Sequence, residues 1–502
     1  METKKPNCIL NLIICGLACL LFTFLSIASL FGSSVLDPKK YLQEHILFEN
    51  DNVIFNILAL IALFALLLVL NWLLKRFSLK TLTIILVAYV TVIGCAWVCA
   101  VKSVPAADSG SISGAAGDFA SGNYSVLQKS DSYFRYFPFQ LGFTFICEII
   151  YRIFGTDNYV AVGIINVLFL DAAYLALIKF SGLIFENKTV VRMTVFLLAT
   201  CLQPVLFCTY IYGNIIGFAL SMWAVVFLTR YLKERRLRCL IFAAGLIAVA
   251  ILAKPNYYIV LAAMCIMLLI DCIKPFKLIN IIAVLCTVAL SVGLGKIVIA
   301  GYETKSDASL GGGVPQVLWA AMGIQEGTMA PGWYNHYTIT TFKKSSYDGD
   351  VASSIAWTNI DERMAYFSSN PSYALSFFSE KILSEWNEPS YESIWVSRTK
   401  EHLSPVSSSV QGIYSSSLLL FCFNAFQMLI FTGFLIALLK DIKKRDIIFT
   451  TLPLIILGGF FYHLIFEAKS QYILVYFVML IPYAAYGLDF AAKKAKTLAI
   501  RL

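Results

Sequence analysis

The sequence predicts an all-α protein that crosses a membrane many times. Three observations carry this. Of the 502 residues, 59% are hydrophobic and 14% charged, with a mean hydropathy of +0.76. A water-soluble chain of this size has no interior large enough to hide so much apolar side chain. Second, apolar runs long enough to cross a bilayer recur about twelve times, near 8–31, 53–74, 81–101, 158–184, 190–208, 212–231, 238–253, 257–273, 277–299, 415–440, 447–465 and 471–491. Third, one choice of topology places every basic cluster on the same side, as the positive-inside bias requires.

The elements follow in order. The N-terminal run is too long for the apolar part of a signal peptide and has no clear small-x-small cleavage site after it, so it is expected to stay as the first span. Residues 1–101 hold three spans. The run 138–154 decides the rest, because it is short and carries Glu148 and Arg152. If it crossed, "RYLKERRLR" (230–238) would face outside. If it lies on the outer surface as an amphipathic helix, Lys4/Lys5, "KRFSLK", "ENKTVVR", "RYLKERRLR", "KPFK", "KDIKKRD" and "KKAK" all fall inside. That choice leaves 102–157 and 300–414 outside, with 158–299 as the transmembrane core, 415–502 as the C-terminal spans, and both termini cytoplasmic. The 300–414 segment is too long for a linker and is expected to be a small outer domain. Within it, "DERMAYFSSN" and "SYALSFFSEKILSEW" show helical spacing on either side of Asn370-Pro371, where the helix should break.

Composition also excludes function classes. The net charge of +9 is expected in cytoplasmic loops rather than on a nucleic-acid face. Most of the thirteen cysteines, among them Cys15, Cys19, Cys95, Cys99, Cys265 and Cys286, sit in apolar runs as small hydrophobes. No CxxC pair or zinc-like Cys/His spacing occurs, and His45, His336, His402 and His463 are scattered, so neither metal nor cofactor is expected. No internal repeat or low-complexity tract is evident.

The segment after span three has a recognisable order: Asp108, "AAGDFASGNYSVL", then "SYFRYFPFQLGFTFICEIIYRIFG". It resembles the first outer loop of the GT-C fold glycosyltransferases, in particular the family 39 group of protein-mannosyltransferase-like and aminoarabinose-transferase-like bacterial enzymes. "LWAAMGIQEG…PGWYNHYT" and "FFSEKILSEWNEPSYESIW" resemble the outer domain of its Gram-positive members, and "HLIFEAKSQYILVYFVMLIP" their last spans. The sequence departs from the group in two ways. The acidic loop follows the third span rather than the first, so two spans look appended to the core. Gln471 stands where the group often has Arg.

The resemblance implies a GT-C-like bundle and transfer of a sugar, with inversion, from a polyprenyl-phosphate carrier to a glycan, lipid or protein acceptor outside the cell membrane. Such a reaction needs a base for the acceptor hydroxyl, cations for the leaving phosphate, and a greasy groove for the carrier. The resemblance maps the family's catalytic acid onto Asp108. Read from its neighbours alone, Asp108 is equally a helix N-cap. Asp118 is a second acid or a solvated residue. Lys254, in "ILAKPNYY", Lys469 and Arg135 are candidates for the phosphate, against a plain role as interfacial anchors. Tyr133 and Tyr136 suit a sugar ring or an aromatic belt. Trp386, Asn387, Glu388 and Tyr391 combine aromatics with amide and carboxylate, as acceptor sites and membrane-docking domains both do. Asp171 falls mid-span and is left without a role. The competing reading is a transporter or flippase. A cavity beside Asp108 favours the enzyme, and one beside Asp171 favours transport.

Overall fold

The computed structural model describes residues 6–37, 44–273, 276–442 and 447–501. Lys4, Lys5, Lys274, Lys443, Lys444 and Arg445, all counted in the basic clusters, lie outside the described residues.

The chain opens with α1 (Pro6–Phe31), a hairpin of β1 (Gly32–Leu36) and β2 (Ile46–Asn50), then α2 (Val53–Leu74) and α3 (Leu79–Val101). The first outer segment forms α4 (Ala107–Ala120), α5 (Tyr133–Tyr136) and α6 (Leu141–Phe154). The core follows as α7 (Tyr159–Phe185), α8 (Lys188–Thr200), α9 (Gln203–Phe207), α10 (Asn214–Glu234), α11 (Leu237–Ala253), α12 (Tyr258–Ile273) and α13 (Leu278–Ser306). The second outer segment holds α14 (Gln316–Gly323), α15 (Tyr337–Lys344), α16 (Gly349–Ser369), α17 (Pro371–Trp386), α18 (Trp395–Arg398) and α19 (Ser408–Tyr414). The chain closes on α20 (Ser417–Asp441), α21 (Thr451–Ile465) and α22 (Ser470–Arg501).

The protein is an all-α, multi-pass membrane protein. Among the described residues, ten helices are long and apolar enough to cross a bilayer. The other two predicted runs differ for local reasons. Residues 188–207 break into α8 and α9, because Pro204 enters the first turn of α9 and cannot donate to a helix running through it. The 17-residue α11 stops at Ala253, and Pro255 starts a separate turn. The break expected at Asn370-Pro371 falls between α16 and α17. The β1–β2 hairpin was not predicted.

Side-chain contacts sort the helix ends. Lys233 meets Glu186 at 2.8 Å, Arg235 and Lys277 both grip Asp271 at 2.5 and 2.9 Å, and Arg192 reaches Asn71 at 3.2 Å. These contacts gather the 186–192, 233–235 and 271–277 loops at one end of the bundle. Residues 102–157 and 395–403 sit at the opposite end, where Ser103 bridges His402. The chain therefore leaves α3 and enters α7 at the same end, and α6 does not cross between them. Its 14 residues span only about 21 Å, too short for a hydrocarbon core of about 30 Å. One face of α6 buries Phe143, Cys147, Ile150 and Tyr151, while Ile149, Ile153 and Phe154 stay exposed. Arg152 pairs with Glu148 at 2.7 Å and donates to the Phe119 carbonyl at 2.9 Å, which ties α6 to the end of α4. Tyr302 of α13 hydrogen-bonds the same Glu148. The centre of the bundle is α22, which packs against α20 and α8, whereas α2 lies at its edge, with only Asn56 and Leu67 buried.

Candidate functional site

A cavity of about 1760 Å³ opens at the end of the bundle that carries the two outer segments. Two pieces of chain converge on the C-terminal turn of α11 to build its wall. Gly213 is left-handed (φ +77°), and a Cβ there would lie 2.1 Å from the Ala253 carbonyl. Gly142, at the start of α6, is equally tight: a Cβ would lie 2.4 Å from the Leu252 carbonyl. Only glycine lets both backbones come so close. The result is that Tyr212, Gln140 and Lys254 meet in one place.

The contact geometry is a relay. Gln140 Nε2 donates to Tyr212 Oη at 2.8 Å, and the Tyr212 hydroxyl donates to Asp108 Oδ2 at 2.9 Å. Lys254 Nζ lies over the Tyr212 ring, 3.4 Å from its centre. Lys254 is only 4% exposed, yet its ammonium has no hydrogen-bond or ion-pair partner among the described residues. Burial pushes it down to about 7, against the pull of Asp108 and Glu467.

Asp108 is not the cap of α4. The N-cap is Ala106, and Ser109 closes the first turn by accepting from the Ala106 N–H at 3.3 Å and donating to its carbonyl at 2.9 Å. The capping role that the sequence allowed for Asp108 therefore falls one residue on. Its carboxylate is left to line the cavity.

The remaining candidates divide. Lys469 lines the cavity but sits between two carboxylates, Glu44 at 2.7 Å and Glu392 at 3.6 Å. Tyr133 lines the cavity beside Tyr212 and Gln140. Arg135 is elsewhere, over the Tyr347 ring at 4.3 Å, beside a smaller hollow with Lys129 and Asp307. Tyr136 is buried away from the cavity, hydrogen-bonded to Tyr347 at 3.2 Å. Asp118 is exposed at the far end of α4, about 15 Å along the helix from Asp108. Asp171 accepts from Thr91 at 2.6 Å and is not part of the cavity wall.

Trp386, Asn387, Glu388 and Tyr391, expected at an acceptor site, are all buried away from the cavity. Tyr391 donates to Gln427 at 2.9 Å, Gln427 donates to Asn387 at 3.0 Å, and Asn387 donates to the Gly32 carbonyl at 2.9 Å. Glu388 accepts from the Ser390 and Glu392 amides at 2.9 and 2.8 Å and from Ser470 Oγ at 3.0 Å. Trp386 stacks on Tyr476. The polar atoms of Asn387, Glu388 and Tyr391 and the ring of Trp386 hold the outer segment to α20, α22 and the hairpin, with none of the four on the cavity wall.

Sequence reasoning assigned no role to Tyr212, Gln140 or Glu467. Glu467 lines the cavity just after α21, and burial raises its carboxyl to about 7, with Lys469 opposing. Tyr334, from the second outer segment, faces both acids, and burial raises its phenol to about 12. Among the described residues, no three His, Cys, Asp or Glu side chains group as a metal site.

A multi-pass helical bundle with a carboxylate, a buried lysine and a tyrosine relay at one mouth fits chemistry on a membrane-borne substrate. Residues 140–295 match the family model described as dolichyl-phosphate-mannose-protein mannosyltransferase. The match supports a membrane glycosyltransferase of the GT-C type. It covers Gln140, Tyr212 and Lys254, while Asp108, Glu467 and Lys469 lie outside it. No curated protein matches the chain.

Proposed function

We propose that the protein transfers a sugar from a polyprenyl-phosphate-linked donor to an extracytoplasmic glycan, lipid or protein acceptor, with inversion at the anomeric carbon. The observation that carries this is the junction of Asp108, Tyr212 and Lys254 in one cavity. Asp108 takes the proton of the attacking acceptor hydroxyl. Lys254, buried and unpaired, receives the phosphate whose charge grows as the glycosidic bond breaks. Tyr212 keeps the two apart: its hydroxyl holds Asp108 while its ring carries Lys254. A direct Asp–Lys ion pair would satisfy both groups and disarm them.

The carrier chain is assigned to the apolar part of the cavity lining, supplied by Ile251, Leu252 and Ile259 and by Val292 and Ile299 of α13, of which Val292 is also exposed on the outside of the bundle. Lys469 tempers the field of Glu44 and Glu392 rather than binding phosphate itself. The cavity beside Asp108, with Asp171 outside it, favours this reading over transport. The test is to incubate the purified protein with a panel of polyprenyl-phosphate sugars and of glycan, lipid and protein acceptors, and to follow release of polyprenyl phosphate. Release by wild type and its loss in Asp108→Asn supports the proposal. No release from any donor overturns it.

A further inference from the structure

Glu467 is the second carboxylate of the cavity, and it is held there by design of the main chain. Its carbonyl accepts from His463 Nδ1 at 3.0 Å. The preceding carbonyls of Leu464 and Phe466 accept from the buried Lys381 ammonium at 3.1 and 2.8 Å, and that ammonium also reaches the Gly323 carbonyl. The backbone around Glu467 is thus pinned from α17 and α14, while its own carboxyl, facing the cavity, has no hydrogen-bond or ion-pair partner among the described residues.

The groups that face it come from every neighbouring element. Lys254 stands at the end of α11, Asp108 on α4, Glu44 before β2, and Lys469 in its own turn. Behind it lie Lys381 and Glu385 of α17. Tyr334, Tyr462 and Tyr472 border it. Lys469, the nearest full positive charge, is already shared between Glu44 and Glu392. Two acids nearby and burial favour the neutral form, while Lys254 acts on it as a cation and, like Lys296 and Lys400 elsewhere on the cavity wall, has no ion-pair partner among the described residues.

The two cavity acids are therefore unlike. Asp108 faces a hydroxyl donor, the arrangement of an acceptor of protons. No donor is hydrogen-bonded to the Glu467 carboxyl among the described residues. A carboxylate there would repel an incoming phosphate, whereas a carboxylic acid supplies one O–H donor. We propose that Glu467 grips the donor's phosphoryl group as a neutral acid, giving its O–H to a phosphoryl oxygen beside the Lys254 ammonium. This rests on the donor reading above and adds the second arm of the phosphate site.

The test uses the purified full-length protein in lipid nanodiscs. The probe is undecaprenyl methyl phosphate, a phosphodiester that keeps a single charge across the neutral range and carries no sugar. Wild-type affinity should fall by more than roughly a hundredfold between about pH 6 and about pH 8.5, because Lys254 and Glu467 must both hold a proton in the complex. Glu467→Gln keeps an N–H donor and cannot ionise. It should match wild type at the lower pH and bind more than roughly tenfold tighter at the higher one, keeping only the pH dependence of Lys254. Weaker binding by Glu467→Gln at both pH values overturns the inference. Calorimetry of wild type in buffers of different ionisation enthalpy gives an answer without any variant. Near pH 8, binding should draw in more than one proton per probe, since Lys254 alone can take only one, and an uptake of one or fewer overturns the inference. A probe that fails to bind wild type at any pH refutes the donor reading itself. A probe that binds through Lys254 but without these Glu467 signatures refutes only the second arm.

Discussion

Replacing Asp108 by Asn separates chemistry from architecture at this site. Asn keeps the volume and one oxygen, so the Tyr212 hydroxyl, 2.9 Å away, still has an acceptor and the Gln140–Tyr212 relay stays closed. The α4 cap is untouched because Ser109 and Ala106 make it. The folding cost should therefore stay below the roughly 1 kcal/mol of one ordinary hydrogen bond. What Asn cannot do is take a proton. Loss of a general base costs roughly 10²–10⁴-fold, or about 2.7–5.5 kcal/mol of barrier at about 1.36 kcal/mol per decade. The assay is sugar transfer at saturating donor, with wild type, Asp108→Asn and Asp118→Asn compared at equal protein and equal thermal midpoint. Asp118, exposed at the far end of α4, should behave as wild type within about twofold. Near-normal turnover by Asp108→Asn refutes the assignment. If Asp118→Asn is the dead variant instead, the base is the wrong acid. If neither matters, the outer segment is a connector.

Three further outcomes follow. Lys254→Met should weaken donor binding roughly 10- to 100-fold yet raise the thermal midpoint at neutral pH. Burial holds the folded lysine near 7 while an unfolded one titrates near 10.4, so over that window the unfolded chain binds more protons and stability rises with pH. The Met variant should lose that slope, as a pH series of melting curves would show. Tyr391→Phe removes one buried hydrogen bond to Gln427 and should lower stability by about 1 kcal/mol while leaving turnover per folded molecule unchanged; a changed KM for acceptor would return this residue to the site. Single cysteines placed at 120, 310, 360 and 405 should react with an impermeant reagent added outside intact cells, and those at 78 and 234 should not. Outside labelling at 234 would invert the bundle and put the cavity in the cytoplasm.

What was legible in the sequence and what was not divides by the length of chain a signal occupies. Spans show because some twenty consecutive residues share one property, and the helix break at Asn370-Pro371 shows because proline acts on its own neighbour. The position of α6 was legible only indirectly, from charge in loops far from it, and the ion pairs at the opposite end of the bundle give the same answer by geometry. The site itself is not local. Asp108 and Tyr212 are 104 residues apart, and what joins them is the approach of Gly213 and Gly142 to carbonyls of α11. A glycine in a turn announces freedom, not the partner that uses it. Composition failed for a different reason at Trp386, Asn387, Glu388 and Tyr391. An aromatic-amide-carboxylate cluster serves equally well to hold a sugar or to satisfy buried polar groups in a core, and only the direction of burial tells them apart. Here Gln427 and Gly32 take the hydrogen bonds a sugar would need. The converse holds at the cavity. Among the described residues no hydrogen bond or ion pair reaches the Lys254 ammonium or the Glu467 carboxyl, and polar groups left so on a cavity wall are placed for a partner that arrives from outside the fold.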